Sequence, residues 1–465
     1  MKRLFTALCC AFVAAAALST PAADAATAAG KGLDVPVEYY RLKNGLRVVL
    51  SPERSAPTAT VGVYYNIGFR IEPKGRTGFA HLFEHMMFQG SANLGKMEFI
   101  KLIQSNGGVL NGSTRFDFTN YFQVVPSNVL ETILWAEADR MKGLDITQEN
   151  LTNQQGVVKN EVRVNVLNQP YGGFPWLNMP QYANTNWYNA HNFYGDLAEL
   201  DAATLTDVKS FFDTYYAPNN AVLVVAGDFD TAQAKAWIEK YFTPLPAREQ
   251  PAKADISEPR QEAEKRHSYV DKLAPRPALA AAWHVPPRGT PEHLAFGLID
   301  QLLLQGEDSV LWQKLVKERG YADSVAGGIN LLGNQFNYDG PMLWMWYLIH
   351  DPATKPEAVL ADVDAAIAKL QNEPVTQAEL DRVMTKMRAD LYDVVGESTR
   401  FGLVDMLATF ALFDNDPTRI NRLEADFRKV TPALIQKVAR EYLRPTNRTV
   451  LVVEAGRATP AGDKK

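Results

Sequence analysis

Two histidines and a glutamate near position 80 have the residue types and the spacing of a metal-binding group. The segment 78–90 reads GFAHLFEHMMFQG, so His81 and His85 are four positions apart and Glu84 lies between them. On an α-helix, residues i and i+4 share one face, and two imidazoles placed in this way can reach one zinc ion at about 2.0–2.1 Å. A carboxylate beside them can take a proton from an attacking water. The spacing predicts a catalytic zinc site with Glu84 as general base.

A core helix is the alternative interpretation of this segment. In that case both histidines would be satisfied by hydrogen bonds, and the glutamate would face solvent. The whole chain has only seven histidines, and two of them share one helical face with a carboxylate between them. The pattern H-x-x-E-H is also the known inverted counterpart of the zinc-binding H-E-x-x-H motif. Both points favour the metal site.

A catalytic zinc ion normally has three protein ligands and one open position. The third ligand must therefore come from elsewhere in the chain, and spacing alone does not choose among the downstream acids Glu98, Glu131, Glu137, Glu149 and Glu161. Glu161 has the best setting, because VVKNEVRV lies in a long helical stretch with an apolar face. Glu131 and Glu137 are predicted on the outer face of an ordinary amphipathic helix.

The elements around the motif mix the periods of helices and strands. The metal helix is predicted to begin after Thr77 as N-cap and to stop at Gly90. Helical spacing recurs at 96–105, 129–142 and 147–167, whereas 46–51 and 61–67 are rich in residues typical of strands. Because strands and helices interleave without strict alternation, the sequence predicts an α+β fold.

The chain is predicted to contain two similar, duplicated domains. Each half ends with a helix, a tyrosine, a Pro-x-Asn turn and a Val/Leu-rich strand, at 211–227 and at 439–455. A strand, a turn, a helix and a Gln-Gly pair also recur at 61–90 and at 278–306. We therefore expect a zinc-binding catalytic domain at 35–243, a linker rich in proline and charge at 244–266, and a related domain without metal at 267–456.

The first 25 residues read as a secretory signal. Lys2 and Arg3 precede an apolar stretch at 4–18, and Ala23-Asp24-Ala25 offers a small-x-small cleavage pattern. The apolar stretch is too short for a permanent transmembrane helix. We expect cleavage after Ala25 and a periplasmic protein; an N-terminal anchor that is retained is the alternative.

The rest of the composition excludes several classes of protein. Cys9 and Cys10, the two cysteines of the chain, lie in the signal segment, so the mature protein would have neither a disulfide nor a cysteine nucleophile. The formal net charge is −5, and without a long basic run there is no electrostatic basis for binding nucleic acid. No stretch after the signal is long and apolar enough for a membrane span.

Beyond these patterns, the sequence resembles the pitrilysin and insulinase-like metallopeptidases, especially the shorter group that contains mitochondrial processing peptidase. The resemblance covers nearly the whole mature chain. Besides the zinc motif it rests on NGLRVVL at 44–50, GGVLNGST at 107–114, the Pro-Asn-Asn turn at 218–220 and VKERGYADSV at 316–325. It implies a fold of two related domains and a zinc endopeptidase that cleaves peptides or unfolded polypeptides, with one Zn²⁺ per chain.

The resemblance also assigns roles to individual residues. In this family the third zinc ligand is a glutamate some seventy residues beyond the motif, and Glu161 matches that position. Gln154 stands where the family usually has a second glutamate, two helical turns earlier, and would support the ligands without the charge. The edge strand that pairs with substrate would consist of Asn111, Gly112, Ser113 and Thr114.

The second half departs from the family pattern. Many members bring an arginine and a tyrosine to the oxyanion, but here Val316 and Asp323 occupy those positions. The positions equivalent to the zinc motif hold Gly297, Asp300 and Gln301. The resemblance therefore implies a heterodimer in which a related subunit supplies the Arg/Tyr pair.

Two other functions remain open at the level of sequence. One is a subunit with weak catalysis that binds peptides as a scaffold of such a complex. The other is an unrelated metal-dependent hydrolase of small molecules, for which 111–114 would be only a strand. The intact metal motif argues against the scaffold. The second half shows that the zinc residues are readily lost in a domain that does not catalyse, whereas the first half has kept them.

Overall fold

The structure is a computed structural model that describes residues 32–456. The predicted signal segment 1–25, with both cysteines, lies outside the described residues. Within the described part of the chain, none of the helices has the length and apolar character that a bilayer span requires.

The first half is organised around one sheet. Its strands are rich in valine, tyrosine and threonine, which suit a pleated surface. In the described residues this sheet has six strands in the order β1-β2-β6-β3-β5-β4, and its neighbours are antiparallel except for the parallel pair β2 and β6. The strands are β1 (Glu38–Arg41), β2 (Arg47–Pro52), β3 (Thr58–Tyr65), β4 (Val109–Thr114), β5 (Thr119–Pro126) and β6 (Ala221–Gly227).

The helices of the first half lie between these strands and after them. Helices α1 and α4 pack on each other, and α1 also contacts β4 and β5. Helix α4 continues into a π-helical turn, Arg163–Leu167. The helices are α1 (Phe79–Met86), α2 (Glu98–Ser105), α3 (Leu130–Lys142), α4 (Gln148–Val162), α5 (Asn178–Ala183), α6 (Trp187–Ala190), α7 (Leu197–Ala202), α8 (Leu205–Tyr215) and α9 (Thr231–Phe242).

The second half repeats this plan. Its strands are β7 (Lys265–Asp271), β8 (Ala278–His284), β9 (Ala326–Ile329), β10 (Leu343–Ile349) and β11 (Arg448–Ala455). Among the described residues they form a sheet in the order β7-β11-β8-β10-β9, again with one parallel pair, β7 and β11. The helices are α10 (Pro291–Leu303), α11 (Pro356–Asn372), α12 (Gln377–Gly396), α13 (Phe401–Thr409), α14 (Leu423–Phe427) and α15 (Pro432–Tyr442).

The two sheets share one topology. The sequence β2-β6-β3-β5-β4 of the first sheet corresponds strand for strand to β7-β11-β8-β10-β9 of the second. Helix α1 follows β3 in the first half, as α10 follows β8 in the second. The predicted α+β fold with two similar domains is confirmed. The limits 35–243, 244–266 and 267–456 stay a prediction.

The first sheet is buried on both faces. Because side chains alternate along a strand, Val63 and Tyr65 of β3 point into a core formed with the helices of the first half. Tyr64 points the other way, into a core that is built mainly by the second half. Helix α13 covers this second face, and Gly62 leaves room for the side chain of Val404. The core on this second face therefore contains residues of both halves.

Candidate metal centre

Helices α1 and α4 bring His81, His85 and Glu161 together. The two Nε2 atoms are 3.4 Å apart, and they lie 3.5 Å and 3.2 Å from the two carboxylate oxygens of Glu161. A tetrahedral ion with ligands at about 2.0–2.2 Å has ligand atoms about 3.3–3.6 Å from one another. The separation of the two Nε2 atoms fits this geometry, and each imidazole lies within 3.5 Å of one oxygen of Glu161. Within residues 32–456, no other group of three His, Cys, Asp or Glu residues brings its ligand atoms this close.

The charges of these residues also suit a divalent cation. Burial lowers the pKa of His81 to about 4, although Glu161 acts in the opposite direction. The imidazole is therefore neutral at physiological pH, which is the form that binds metal. Burial would raise the pKa of Glu161, but the hydrogen bond with His85 and the coulombic interaction with the neighbouring imidazoles lower it overall. Two imidazoles and an ionised carboxylate make a donor set that zinc accepts.

Glu84 lies on the same helix and is positioned by β4. The hydroxyl of Thr114 donates a 2.8 Å hydrogen bond to Oε2 of Glu84. Burial raises the pKa of Glu84, and the bond from Thr114 offsets only part of that effect. A carboxylate with a raised pKa is suited to accept a proton and to return it.

The predicted substrate strand is β4, and one face of this strand packs against the metal helix α1. In the described residues β4 pairs with β5 alone, so its outer edge is free of strand partners. Asn111 is exposed, and its Oδ1 accepts a hydrogen bond from the backbone of Gly112. Gly112 lies against Glu84, because a Cβ there would be 3.2 Å from its Cγ. Ser113 donates to β5, and Thr114 is buried.

Comparison with known protein families identifies the family of this chain. Two models of one family match the chain: "Insulinase (Peptidase family M16)" at residues 47–189 and "Peptidase M16 inactive domain" at residues 202–387. The chain belongs to the M16 peptidase family. The resemblance predicted from the sequence is therefore confirmed. The first match covers the predicted zinc residues, and the second match lies mostly in the half without them.

Known M16 proteins are similar over most or part of this chain. The zinc protease PqqE of Helicobacter pylori is 27% identical over 425 residues, which are 90% of this chain and 92% of the relative. A probable mitochondrial-processing peptidase subunit beta of Arabidopsis thaliana is 26% identical over 204 residues, which are 44% of this chain and 38% of the relative. The crystal structure of a protease from Helicobacter pylori matches with a TM-score of 0.83 and 26% identity, covering 90% of this chain and 100% of that one.

The start of the metal helix in this M16 chain is held by Glu72, which sequence reasoning missed. Gly78 precedes α1 in the left-handed conformation, with φ 84°. The buried carboxylate of Glu72 accepts hydrogen bonds from the backbone N–H groups of Gly78 at 2.8 Å and Ala80 at 2.6 Å. The predicted cap at Thr77 is wrong, because its hydroxyl donates to Glu199 instead. A carboxylate that lies six residues before the N-cap Gly78 follows no standard capping pattern, so the sequence carried no signal for it.

The other acidic candidates lie outside the metal centre. Glu137 was predicted on an outer face, and this is wrong: it is fully buried, with both oxygens bound by Arg140 at 2.6 and 2.8 Å. Glu131 bonds to Tyr241 at the surface, and Glu98 accepts from a nearby backbone N–H. Glu149 is exposed in the first turn of α4.

Two further residues complete the surroundings of the site. Gln154 is buried on α4, two turns before Glu161. Tyr194 was not singled out in the sequence, yet its hydroxyl donates to Oε1 of Glu161 at 3.2 Å. A lone tyrosine in a loop far from the motif carries no spacing signal that could have identified it.

The equivalent site of the second half has different chemistry. On α10, Gly297 lies against the side chain of Gln335. Asp300 is half-buried and accepts hydrogen bonds from Trp344 at 2.6 Å and Gln305 at 3.0 Å, whereas Gln301 donates to Asp390. Among the described residues, this half has no metal-binding group of the kind formed by the first.

Proposed function

We propose that this chain is a zinc-dependent endopeptidase in which His81, His85 and Glu161 hold the metal and Glu84 is the general base. The observation that carries the proposal is the convergence of these three donor groups, whose ligand atoms all lie within 4.8 Å of one another, with Glu84 on the same helix as both histidines. Zinc, when bound there, supplies a Lewis acid for the scissile carbonyl and for water. Glu84 accepts the proton of the attacking water and delivers it to the leaving amine.

The free edge of β4 favours a peptide in extended form as substrate. An added strand is held by backbone hydrogen bonds, which depend little on side-chain identity. Folded domains rarely offer such an unpaired backbone. We infer that the substrates are short peptides or unfolded polypeptides, and that Asn111 to Thr114 form the strand that receives them.

A partner subunit is the next part of the proposal. The positions for the Arg/Tyr pair hold Val316, which packs on the core, and Asp323, which pairs with Arg276. The nearby Arg319 and Tyr321 give no substitute, because both bind the carboxylate of Asp362 in α11.

Loss of one such oxyanion donor typically costs about 10²–10³ in turnover. We therefore propose that a related subunit supplies the pair in a heterodimer, and the relative named as a subunit of mitochondrial-processing peptidase is consistent with this. Purified chain should cleave peptides slowly alone and much faster with its partner. Full activity as a monomer would exclude an obligate partner.

The compartment follows from the N-terminus. We propose secretion to the periplasm with cleavage after Ala25, on the basis of the basic start, the short apolar stretch and the Ala-x-Ala pattern. The N-terminal residue of the protein from a periplasmic extract measures this directly.

A peptide-holding subunit without hydrolysis is the second candidate. Two observations favour it: the missing Arg/Tyr pair and the match of residues 202–387 to an inactive M16 domain. This candidate predicts peptide binding with zinc present and no cleavage, whether or not a related subunit is added.

Hydrolysis of a fluorogenic peptide by native chain and by Glu84→Gln separates these functions. The variant should keep zinc, because Glu84 is not a ligand, and lose about 10²–10⁴ in rate. A zinc chelator should abolish the activity of native chain. Glu149→Gln, at an exposed position of α4, is the matched control. Cleavage by Glu84→Gln at the native rate would remove Glu84 from the mechanism.

A further inference from the structure

Tyr194 contacts two of the three proposed metal ligands. Its hydroxyl donates to Oε1 of Glu161 at 3.2 Å, and its ring packs edge-on against His81 with centroids 5.1 Å apart. The side chain is only 6% exposed and belongs to a small apolar cluster with Val162 and Leu177. The hydroxyl is therefore held in one place by its surroundings.

The carboxylate of Glu161 needs such a contact. Glu161 is one residue from the end of α4, where the chain changes to a π-helical turn. The glutamate side chain has several rotatable bonds, so the backbone alone does not fix the direction of its oxygens. One oxygen lies 3.2 Å from His85, and the other lies near His81 and accepts the bond from Tyr194.

The backbone that carries Tyr194 is fixed to the start of the metal helix. A Cβ on Gly78 would be 2.5 Å from the carbonyl oxygen of Tyr194, and a Cβ on Gly195 would be 2.3 Å from the backbone nitrogen of Gly78. The N–H of Asp196 also donates to the hydroxyl of Thr77 at 2.9 Å. Only glycines permit this close approach, and both have positive φ.

We propose that Tyr194 is a positioning residue that links the two ligand-bearing helices. Its backbone is fixed to α1, which carries His81 and His85, and its hydroxyl orients the carboxylate of Glu161 on α4. The inference rests on the proposed metal site. Outer partners that orient a ligand in this way typically contribute a factor of about 10–100 to metal affinity.

The test is the zinc affinity of Tyr194→Phe, measured by competition with a chelating dye. The substitution removes only the hydroxyl, and we expect the dissociation constant to rise about tenfold or more. Tyr182→Phe is the matched control, because Tyr182 is half-buried and stacks on His267 of the second half. This control should bind zinc as native chain does.

A double-mutant cycle with Glu161→Ala, which removes the acceptor of the hydrogen bond from Tyr194, separates positioning from a general effect on the fold. When the carboxylate is already absent, the hydroxyl has no ligand to orient, so Tyr194→Phe should then change the affinity by less than about threefold. Equal losses in both backgrounds would overturn the proposal, as would native affinity in Tyr194→Phe. If native chain itself bound no zinc, the metal site would fail and this inference with it. If native chain binds zinc and Tyr194→Phe binds it with the same affinity, only the role of Tyr194 is refuted and the metal site stands.

Discussion

The hydroxyl of Thr114 shows how a single buried side chain prepares the proposed base. It donates to Oε2 of Glu84 at 2.8 Å and lies within reach of the carbonyl of Ala80 at 3.4 Å. Thr114 is 3% exposed, so water cannot readily replace it. The bond leaves the second oxygen of Glu84 for the attacking water.

Thr114→Val should therefore reduce turnover and leave zinc bound. A hydrogen bond to a charged group contributes about 1.5–3 kcal/mol, so we expect kcat to fall roughly tenfold to a hundredfold. Steady-state hydrolysis with zinc analysis measures both effects. Thr409→Val is the control, because the buried hydroxyl of Thr409 donates to a carbonyl within α13. An unchanged kcat in Thr114→Val would show that Glu84 is oriented by other contacts.

The site residues whose contacts lie within one helix could be predicted from the sequence. His81, Glu84 and His85 follow from helical spacing, because their proximity is built into one turn. Glu161 required its helical context and the family resemblance, since two separate helices bring it to the site. Glu72 and Tyr194 could not be found, because their contacts with α1 and Glu161 exist only after the chain has folded.

At the scale of elements, α1 and α10 are equivalent helices whose central acids, Glu84 and Asp300, have different hydrogen-bond partners. Glu84 accepts a hydrogen bond from Thr114 of β4, whereas Asp300 accepts hydrogen bonds from Trp344 and Gln305. Burial raises the pKa of Asp300 to about 6, although both hydrogen bonds act against this. In the unfolded chain the same carboxyl would lose its proton near 3.8.

Asp300→Asn should change how stability depends on pH. Between the two pKa values the folded chain holds more protons than the unfolded chain, so native stability falls as pH rises through this window. The variant lacks this titration. We therefore expect the free energy of unfolding of native chain to fall by about 2 kcal/mol relative to that of the variant between about pH 4 and pH 7. Urea unfolding at several pH values measures the difference. Asp393→Asn, an exposed substitution on α12, should show no such trend; a constant difference for Asp300→Asn would refute the argument.

The elements themselves were predicted better than their ends. The helix at 129–142 was placed within a residue, because apolar periodicity reports which face is buried. The buried position of Glu137 was missed, since only the pairing with Arg140 makes it tolerable. The stretch predicted as one helix at 147–167 changes to a π-helical turn after Val162.

At the scale of the whole molecule, a buried ion pair joins the halves. Arg70 and Asp117 of the first half are 2.7 Å apart, with side chains 0% and 5% exposed. Asp117 also accepts from the backbone N–H of Asp339, and Arg70 donates to the carbonyl of Pro341. Both contacts reach into the second half.

Asp117→Asn should destabilise the protein strongly. The substitution leaves the charge of Arg70 buried and unpaired, which costs about 3–5 kcal/mol. Chemical unfolding followed by tryptophan fluorescence measures this loss. Glu318→Gln breaks an exposed pair with Lys314 and should have little effect. Equal stability of Asp117→Asn and native chain would show that the ion pair does not hold the halves together.

The duplication could be predicted from repeated segments, because each half carries the same order of strand, helix and turn. The packing of one half on the other could not. It depends on contacts between distant residues, such as the hydrogen bond from Tyr64 to Asp405, for which neither half alone has a pattern.

The most direct test of the metal centre is the zinc content of native chain, Glu161→Gln and Glu84→Gln after dialysis at one buffered zinc concentration. We expect one zinc ion per chain for native protein and for Glu84→Gln, and a large loss of zinc from Glu161→Gln. Full zinc in Glu161→Gln, or none in native chain, would contradict this expectation.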